Sequence, residues 1–190
     1  LIVLNKSDLT ALHAQAWQRL APYRAMGYTT LGVSLHQPCD ALHALKQSLQ
    51  GKKSLMMGPS GTGKSSFINW LLPTANVQTN EISRALNSGR HTTTSTMLHW
   101  IDRATDTAAI DSPGFQEFGI HHLAATDLAR YMPDIAHHTG ACRFYNCTHL
   151  HEPGCEVLNA VGQPLEQKGI DPLRHQLYAQ WHAELSASKY

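Results

Sequence analysis

The chain has 190 residues, of which 42% are hydrophobic, enough for one core of ordinary size plus a small appendage. Its formal net charge of +1 gives no overall argument for binding to nucleic acid or to a membrane surface. No apolar run reaches membrane-spanning length and no signal peptide is present, so we expect a cytoplasmic protein without a membrane partner. Three of the four cysteines lie between residues 142 and 155, which fits a metal site in a reducing cytoplasm better than disulfides.

The first element is the apolar run Leu1–Leu4, which predicts a buried strand. Because this run lacks an initiator Met, we expect the chain to begin inside a longer protein. The strand is followed by Asn5, Lys6, Ser7 and Asp8. This pattern is typical of proteins that read guanine: Asp8 would accept hydrogen bonds from two guanine nitrogens, Lys6 would pack along the base, and Asn5 would brace the loop. The same residues also suit an ordinary turn.

The next elements are a helix over Thr10–Met26, ended by Gly27, and a strand over Tyr28–Val33. Ser34 follows the strand, and a small residue there would let the backbone approach guanine, although a simple turn explains it equally well. A helix over Ala41–Leu49 then leads towards a short buried strand, Ser54–Met57.

A phosphate-binding loop follows that strand. It fits the pattern of Gly, four residues and Gly-Lys-Ser, between a strand and a predicted helix that ends before Pro73. Such a loop turns backbone N–H groups and a helix N-terminus towards bound phosphates. Lys64 would reach the β- and γ-phosphates, and Ser65 would bind magnesium. The predicted nucleotide-binding residues of this loop are Gly58, Pro59, Ser60, Gly61, Thr62, Gly63, Lys64, Ser65 and Ser66.

A polar stretch from Thr74 to Arg90 reads as a loop, and it leads to His91 and three threonines. Thr93 or Thr94 would bind magnesium through its hydroxyl, and we favour Thr93. Two strands follow, Met97–Ile101 and Thr107–Ile110, and the second is followed by Asp111, Ser112, Pro113 and Gly114. In nucleotide switches such an Asp holds a magnesium-bound water, and the Gly N–H senses the γ-phosphate.

The catalytic residues that we expect follow from these motifs. Phe115 stands after Gly114, where many GTP hydrolases carry the Gln that orients the attacking water. His91 is therefore our candidate for positioning water, although a surface histidine is the plain alternative. The predicted catalytic residues are His91, Thr93, Asp111 and Lys64.

The order of the motifs is unusual. In ordinary GTPases the phosphate loop comes first and the guanine-reading element comes late, whereas here the guanine element leads. This order predicts a circularly permuted GTPase of the α/β class, with a mostly parallel sheet and flanking helices. The motifs would still meet, because each follows the carboxyl end of a strand in one sheet.

The segment between residues 142 and 155 holds three cysteines and two histidines within 14 residues. Cys142, Cys147, His149 and Cys155 match a closed, structural Zn²⁺ site, with His151 as a rival nitrogen ligand. The alternatives are a disulfide with a spare thiol and a histidine-rich surface loop. Asp171 and Pro172 then begin a helix whose predicted apolar stripe is Leu173, Leu177, Trp181 and Leu185.

Taken together, the guanine element, the phosphate loop, the switch threonines, Asp111–Gly114 and the zinc knuckle resemble the RsgA family over nearly the whole chain. The resemblance implies a permuted GTPase domain over residues 1–120, a zinc-binding helical domain over 121–190, and an N-terminal OB-fold domain outside this chain. It also implies GTP or GDP with Mg²⁺, one structural Zn²⁺, and a monomer that helps to mature the small ribosomal subunit by binding that subunit and its rRNA.

Two other functions compete with this one. The phosphate loop alone would also suit a guanylate kinase, which leaves the guanine element and the zinc knuckle unexplained. A zinc-stapled RNA-binding module with a degenerate nucleotide site is the non-catalytic alternative, and the intact Lys64, Ser65 and Asp111 argue against it.

Overall fold

The computed structural model describes residues 1–37, 39–75, 77, 96–112, 119–120 and 122–187. The chain forms two compact units, one of Leu1–Trp17 and Thr30–Phe118, the other of Gln18–Thr29 and Gly119–Tyr190. The sequence-based division after residue 120 had assigned residues 18–29 to the first domain. Among the described helices, none combines the length and apolar character that crossing a membrane requires.

The first unit begins with two parallel strands, β1 (Ile2–Leu4) and β2 (Thr30–Gly32). Ile2 lies opposite Thr30 in this pairing, and Leu4 lies opposite Gly32. The single helix predicted between them is two helices, α1 (Thr10–Arg19) and α2 (Ala21–Ala25). The break falls at Leu20 because Pro22, lacking a backbone N–H, fits the first turn of a new helix better than the interior of a long one. The second helix belongs to the second unit.

The rest of the first unit contains α3 (Asp40–Leu49), β3 (Lys53–Met56), α4 (Lys64–Leu71), β4 (Met97–Asp102) and β5 (Thr107–Asp111). The strands β3 and β5 pair in parallel, whereas β4 pairs antiparallel to β5, as a short hairpin turn requires. Where the sequence predicted one sheet, the described strands form two hydrogen-bonded sheets, and two of their three pairings are parallel.

One cluster of buried residues in the first unit contains Val33, Leu42 and Leu45, with Phe67 and Trp70 of α4 packed against it. Buried Ala108 and Ala109 leave room beside β5, and α4 contacts this strand. This packing fixes the direction in which α4 leaves the phosphate loop.

The second unit is helical, with α5 (Pro133–Thr139), α6 (Glu156–Ala160), α7 (Pro172–Ala187) and 3₁₀ turns at Ala125–Tyr131 and Leu165–Gln167. Asp171 caps α7 as predicted, because its carboxylate accepts the N–H of Leu173 at 2.8 Å.

The predicted apolar stripe of α7 is right at Leu185 and at Trp181, which packs against the core of the unit, but wrong at Leu173. Leu173 is 61% exposed, whereas Arg174, Tyr178 and Leu185 are buried. Helical spacing could not predict the burial of Arg174, because a charged side chain is buried only where another element supplies its partner. Arg174 donates to both carboxylate oxygens of Asp134, at 2.8 and 2.9 Å.

Candidate functional site

The predicted guanine-reading residues lie in the turn that follows β1. Lys6 adopts a left-handed conformation with φ of 65°, and its N–H donates to the side chain of Asn5 at 2.8 Å. The Ser7 N–H donates to the carbonyl of Val33 at 3.0 Å, which ties the turn to the end of β2. The turn is therefore held at both ends.

Asp8 is held by a side chain to which the sequence assigned a different role. The Ser34 hydroxyl donates to the Asp8 carboxylate at 2.6 Å, and Ser34 itself is buried. This bond is the largest of the influences that lower the pKa of the Asp8 carboxyl. The sequence pointed to Ser34 for its small size, but the signal for this contact was its hydroxyl at the end of the neighbouring strand.

The phosphate loop between β3 and α4 contacts the guanine-reading turn directly. The side-chain amide of Asn5 donates to the carbonyl of Thr62 at 3.0 Å, across 57 residues of sequence. The Lys6 ammonium donates to the carbonyl of Gly61 at 3.0 Å. Gly63 has φ of 97°, and a Cβ there would collide with the Asn5 amide, so this position combines a left-handed conformation with a close approach.

Lys64 and Ser65 begin α4, with Gly63 at its N-cap. The Lys64 ammonium donates to the carbonyls of Gly58 and Pro59 at 2.7 and 2.9 Å, and partial burial lowers its pKa. The Ser65 hydroxyl lies 3.4 Å from a carboxylate oxygen of Asp111, which is buried at the end of β5. These hard oxygen donors are of the kind that Mg²⁺ binds.

Other predicted residues fall on the surface or outside the described residues. Ser60 and Ser66 are exposed, in the loop and on α4 respectively. His91, Thr93 and Gly114 lie outside the described residues, as do Thr94 and Phe115.

A second site lies in the second unit, where Cys142, Cys147, His149 and Cys155 bring four donor atoms within 4.8 Å of one another. The Cys142 and Cys155 sulfurs are 3.8 Å apart, and Nδ1 of His149 lies 3.5 and 3.6 Å from them. A tetrahedral site with Zn–S distances of about 2.3 Å requires sulfurs roughly 3.8 Å apart. The donor set therefore fits Zn²⁺, and the rival ligand His151 is exposed and lies outside it.

Without a metal, burial favours the neutral forms of the Cys147, His149 and Cys155 side chains. Burial, together with the neighbouring thiols, raises the pKa of Cys147 to about 12, and burial raises the pKa of Cys155. Burial also lowers the pKa of His149, so its imidazole is kept neutral, the form that binds metal. A bound dication would offset the free-energy cost of ionising these buried thiols, because coordinating thiols are deprotonated when they bind metal.

Glu152 organises the knuckle, and sequence reasoning missed it. Its carboxylate accepts the N–H of Thr148 at 2.8 Å and that of Leu150 at 3.2 Å, in addition to the Thr148 hydroxyl. Although burial opposes ionisation, these bonds lower the pKa of Glu152. They hold the turn in which His149 has a positive φ of 63°. An acidic residue three positions before Cys155 was the available signal.

Helix α7 supports the same turn from the other side. The His175 ring bonds to the carbonyl of His149 at 2.8 Å, and the Tyr178 hydroxyl donates to the carbonyl of Thr148 at 2.8 Å. Burial raises the pKa of Tyr178 to about 12, so it remains a donor. These bonds hold the backbone around His149, the predicted nitrogen ligand.

Comparison with known proteins gives consistent matches. A family model described as RsgA GTPase matches residues 1–121. The protein named small ribosomal subunit biogenesis GTPase RsgA from Variovorax paradoxus (strain S110) is 53% identical over 191 residues, which cover 100% of this chain and 60% of that protein. Its namesake from Paraburkholderia phytofirmans is 51% identical over 190 residues, covering 98% of this chain and 59% of the relative.

Two solved structures have the same fold. YjeQ from Thermotoga maritima matches with a TM-score of 0.75 and 27% identity, over 98% of this chain and 60% of that one. YloQ, described as a circularly permuted GTPase, matches with a TM-score of 0.71 and 25% identity, over 100% of this chain and 58% of that one. These matches confirm the predicted fold class. The chain spans about 60% of the length of the curated relatives that it matches.

Proposed function

The chain belongs to the RsgA GTPase family, and on that premise we propose that it binds GTP with Mg²⁺ and hydrolyses it to GDP and phosphate. We also propose that the whole protein is a cytoplasmic, monomeric maturation factor of the small ribosomal subunit, that it binds rRNA there, and that the subunit stimulates hydrolysis. The name shared by the curated relatives supports the partner.

The observation that carries the proposal is the pair of bonds from Asn5 and Lys6 to the backbone of the phosphate loop. They join the turn that contains Asp8 to the loop that precedes α4, although the two motifs are more than 50 residues apart in the chain. A guanylate kinase has no need of this contact, because its phosphate loop and its guanine-binding site serve different nucleotides.

The described residues would divide the work as follows. Asp8, ionised and fixed by Ser34, would accept hydrogen bonds from guanine. Lys64 would exchange its two carbonyl partners for phosphate oxygens, at little cost because the contacts are of the same kind. Ser65 and Asp111 would hold Mg²⁺, directly and through water, and the ion would neutralise phosphate charge. We assign Thr93 to the same ion, Gly114 to the γ-phosphate and His91 to the attacking water.

We assign the zinc a structural role. All four positions of its tetrahedron would be filled by Cys142, Cys147, His149 and Cys155, which leaves no open position for a substrate. The bonds from Glu152 and α7 hold the surrounding backbone, and none of these residues lies in the unit that carries the phosphate loop.

A nucleotide assay tests the proposal. The chain is incubated with GTP, and separately with ATP and GMP, with and without purified small ribosomal subunits. We expect phosphate release from GTP but not from ATP, and a higher rate of release when subunits are present. We expect no phosphate transfer to GMP. Transfer to GMP would establish the kinase, and an absence of hydrolysis under both conditions would contradict the proposal.

The Asp8→Asn variant tests the base site within the same assay. Loss of a charged hydrogen bond costs about 1.5–3 kcal/mol, so the affinity for GTP should fall about tenfold or more. The affinity for xanthosine triphosphate, relative to that for GTP, should rise. Asp106→Asn is the matched control, because Asp106 is an exposed carboxylate of the same unit. Equal GTP affinity in both variants would remove Asp8 from the base site.

A further inference from the structure

The zinc knuckle carries a feature that zinc binding does not require. The four residues between the ligands Cys142 and Cys147 are Arg143, Phe144, Tyr145 and Asn146, and all four are exposed. We refer to them as the knuckle tip. Phe144 is 41% exposed and Tyr145 is fully exposed, at 102% of the reference area. A side chain this exposed contributes nothing to the core, so the fold does not explain an aromatic ring at the end of the tip.

The backbone of the tip is fixed. The Arg143 N–H donates to the carbonyl of Gly154 at 3.0 Å, and the Cys147 N–H donates to the carbonyl of Phe144 at 3.3 Å. Gly154 has φ of 73°, and a Cβ there would come within 3.2 Å of the Arg143 Cβ, so the two arms of the knuckle are in close contact. Because the backbone is already held by these bonds, a ring that binds a partner from this loop costs little additional backbone freedom.

The tip combines planar aromatic rings with a planar, cationic guanidinium group. The guanidinium carbon of Arg143 lies 5.5 Å from the centroid of the Phe144 ring, and the Tyr145 ring follows without a partner among the described residues. Unpaired bases of RNA stack on aromatic rings and on guanidinium planes. An Arg beside the ring also complements a phosphate.

The size of the tip argues against a protein partner. A stable protein interface buries about 800 Å² per partner around anchors from which water is excluded. A loop of four residues, two of them the polar Arg143 and Asn146, offers far less area than this. One nucleotide base matches the area of the exposed Tyr145 ring.

We propose that the knuckle tip is a stacking site for an unpaired base of single-stranded RNA, with Tyr145 as the platform and Arg143 at the adjoining phosphate. The inference rests on the proposed function, in which the partner is the small ribosomal subunit and its rRNA. It specifies an unpaired RNA segment as the part of that partner that binds the knuckle tip. Bases in an RNA duplex are already stacked on their neighbours, so the ligand is an unpaired segment.

The test uses the zinc-loaded chain and a labelled RNA of about 12 nucleotides without self-complementarity, a length within the usual range for single-strand sites. Tyr145→Ala and Tyr145→Leu should each weaken binding about tenfold, because Leu keeps apolar bulk but cannot stack. Tyr145→Phe should bind like the unaltered chain. Tyr131→Ala is the matched control, an exposed Tyr of the same unit outside the knuckle, and it should have no effect. Zinc content is measured for each variant, and equal content shows that the knuckle is intact.

The outcomes separate this inference from the proposed function. Binding by Tyr145→Leu equal to that of Tyr145→Phe would overturn stacking, as would a failure of the unaltered chain to bind the RNA. Weaker binding of Tyr145→Ala to the subunit, with RNA binding unchanged, would show contact with a ribosomal protein and would also overturn it. If the chain does not hydrolyse GTP but Tyr145→Ala loses RNA binding, the proposed function fails and the stacking site stands.

Discussion

The buried ion pair between Arg174 of α7 and Asp134 of α5 gives the sharpest test of how the zinc-binding unit is held together. The two side chains are 10% and 8% exposed, and the guanidinium donates to both carboxylate oxygens. It also lies 5.1 Å from the centroid of Tyr23, on α2. Arg174 therefore joins three helices that are distant in the sequence.

We expect the single variants Asp134→Ala and Arg174→Met each to lower the free energy of unfolding by about 3–5 kcal/mol, because each leaves a buried charge without its partner. In Asp134→Ala the closest acceptor left to Arg174 in the described structure is the Tyr23 hydroxyl at 3.4 Å, which is too long to compensate. The double variant removes both charges, so its loss should be much smaller than the sum of the single losses.

The assay is urea unfolding followed by zinc release to a coloured chelator, because the four proposed zinc ligands lie in this unit. Total zinc is kept constant, since the midpoint depends on it. The matched control is Asp127→Ala, which removes an ion pair to Arg130 whose side chains are 43% and 77% exposed, and its midpoint should not change. Single losses below about 1 kcal/mol, or losses that simply add, would refute the reasoning.

Three further predictions concern the two sites. Ser34→Ala removes the main cause of the lowered Asp8 pKa, so the titration midpoint of the Asp8 carboxyl in NMR should rise towards its ordinary value. In the unaltered chain the stabilisation from this bond is fully present above the unfolded pKa of Asp8 and is lost as the pH falls through the lowered folded pKa; the variant lacks the bond, so this contribution to the pH dependence of stability should be absent. An unchanged titration midpoint would contradict the assignment. Cys147→Ala should abolish stoichiometric zinc while GTP binding persists, as metal analysis and a nucleotide titration would show; one zinc per chain in the variant would exclude Cys147 as a ligand. His91→Ala should lower the hydrolysis rate stimulated by subunits without altering GTP affinity, and an intact rate would withdraw the assignment.

The sequence predicted the positions of several local elements of the first unit well, because each rested on a local pattern. Its prediction that Leu1–Leu4 and Ser54–Met57 are buried was wrong, since Val3 is 40%, Leu55 51% and Met57 53% exposed. The hairpin of Met97–Asp102 and Thr107–Asp111, and the strand and helix around the phosphate loop, lie within one or two residues of their predicted bounds. Turn chemistry and helix caps act over a few residues, so a sequence pattern contains them.

Features that depend on distant partners were not predictable in the same way. The burial of Arg174 depends on Asp134, which lies 40 residues earlier, and the role of Ser34 depends on Asp8, which lies 26 residues earlier. The division of the predicted helix at Leu20 was signalled by Pro22, but the assignment of residues 18–29 to the second unit was not. Each of these depends on packing between separate elements, which no local spacing reveals.

The proposed zinc site shares a residue with the hydrophobic core of the second unit. Cys155 is a proposed ligand and is also 1% exposed within the core that contains Ile135, Val157 and Tyr178. Tyr178 in turn bonds to the knuckle through the carbonyl of Thr148.

Small units seldom bury enough apolar area to fold without a disulfide or a structural metal, and the binding energy of structural zinc then becomes folding energy. Loss of zinc should therefore unwind α7 as well as the knuckle, which circular dichroism during chelation would show as a loss of helix larger than α6 alone provides. A loss limited to the five residues of α6 would mean that the core holds α7 without the metal.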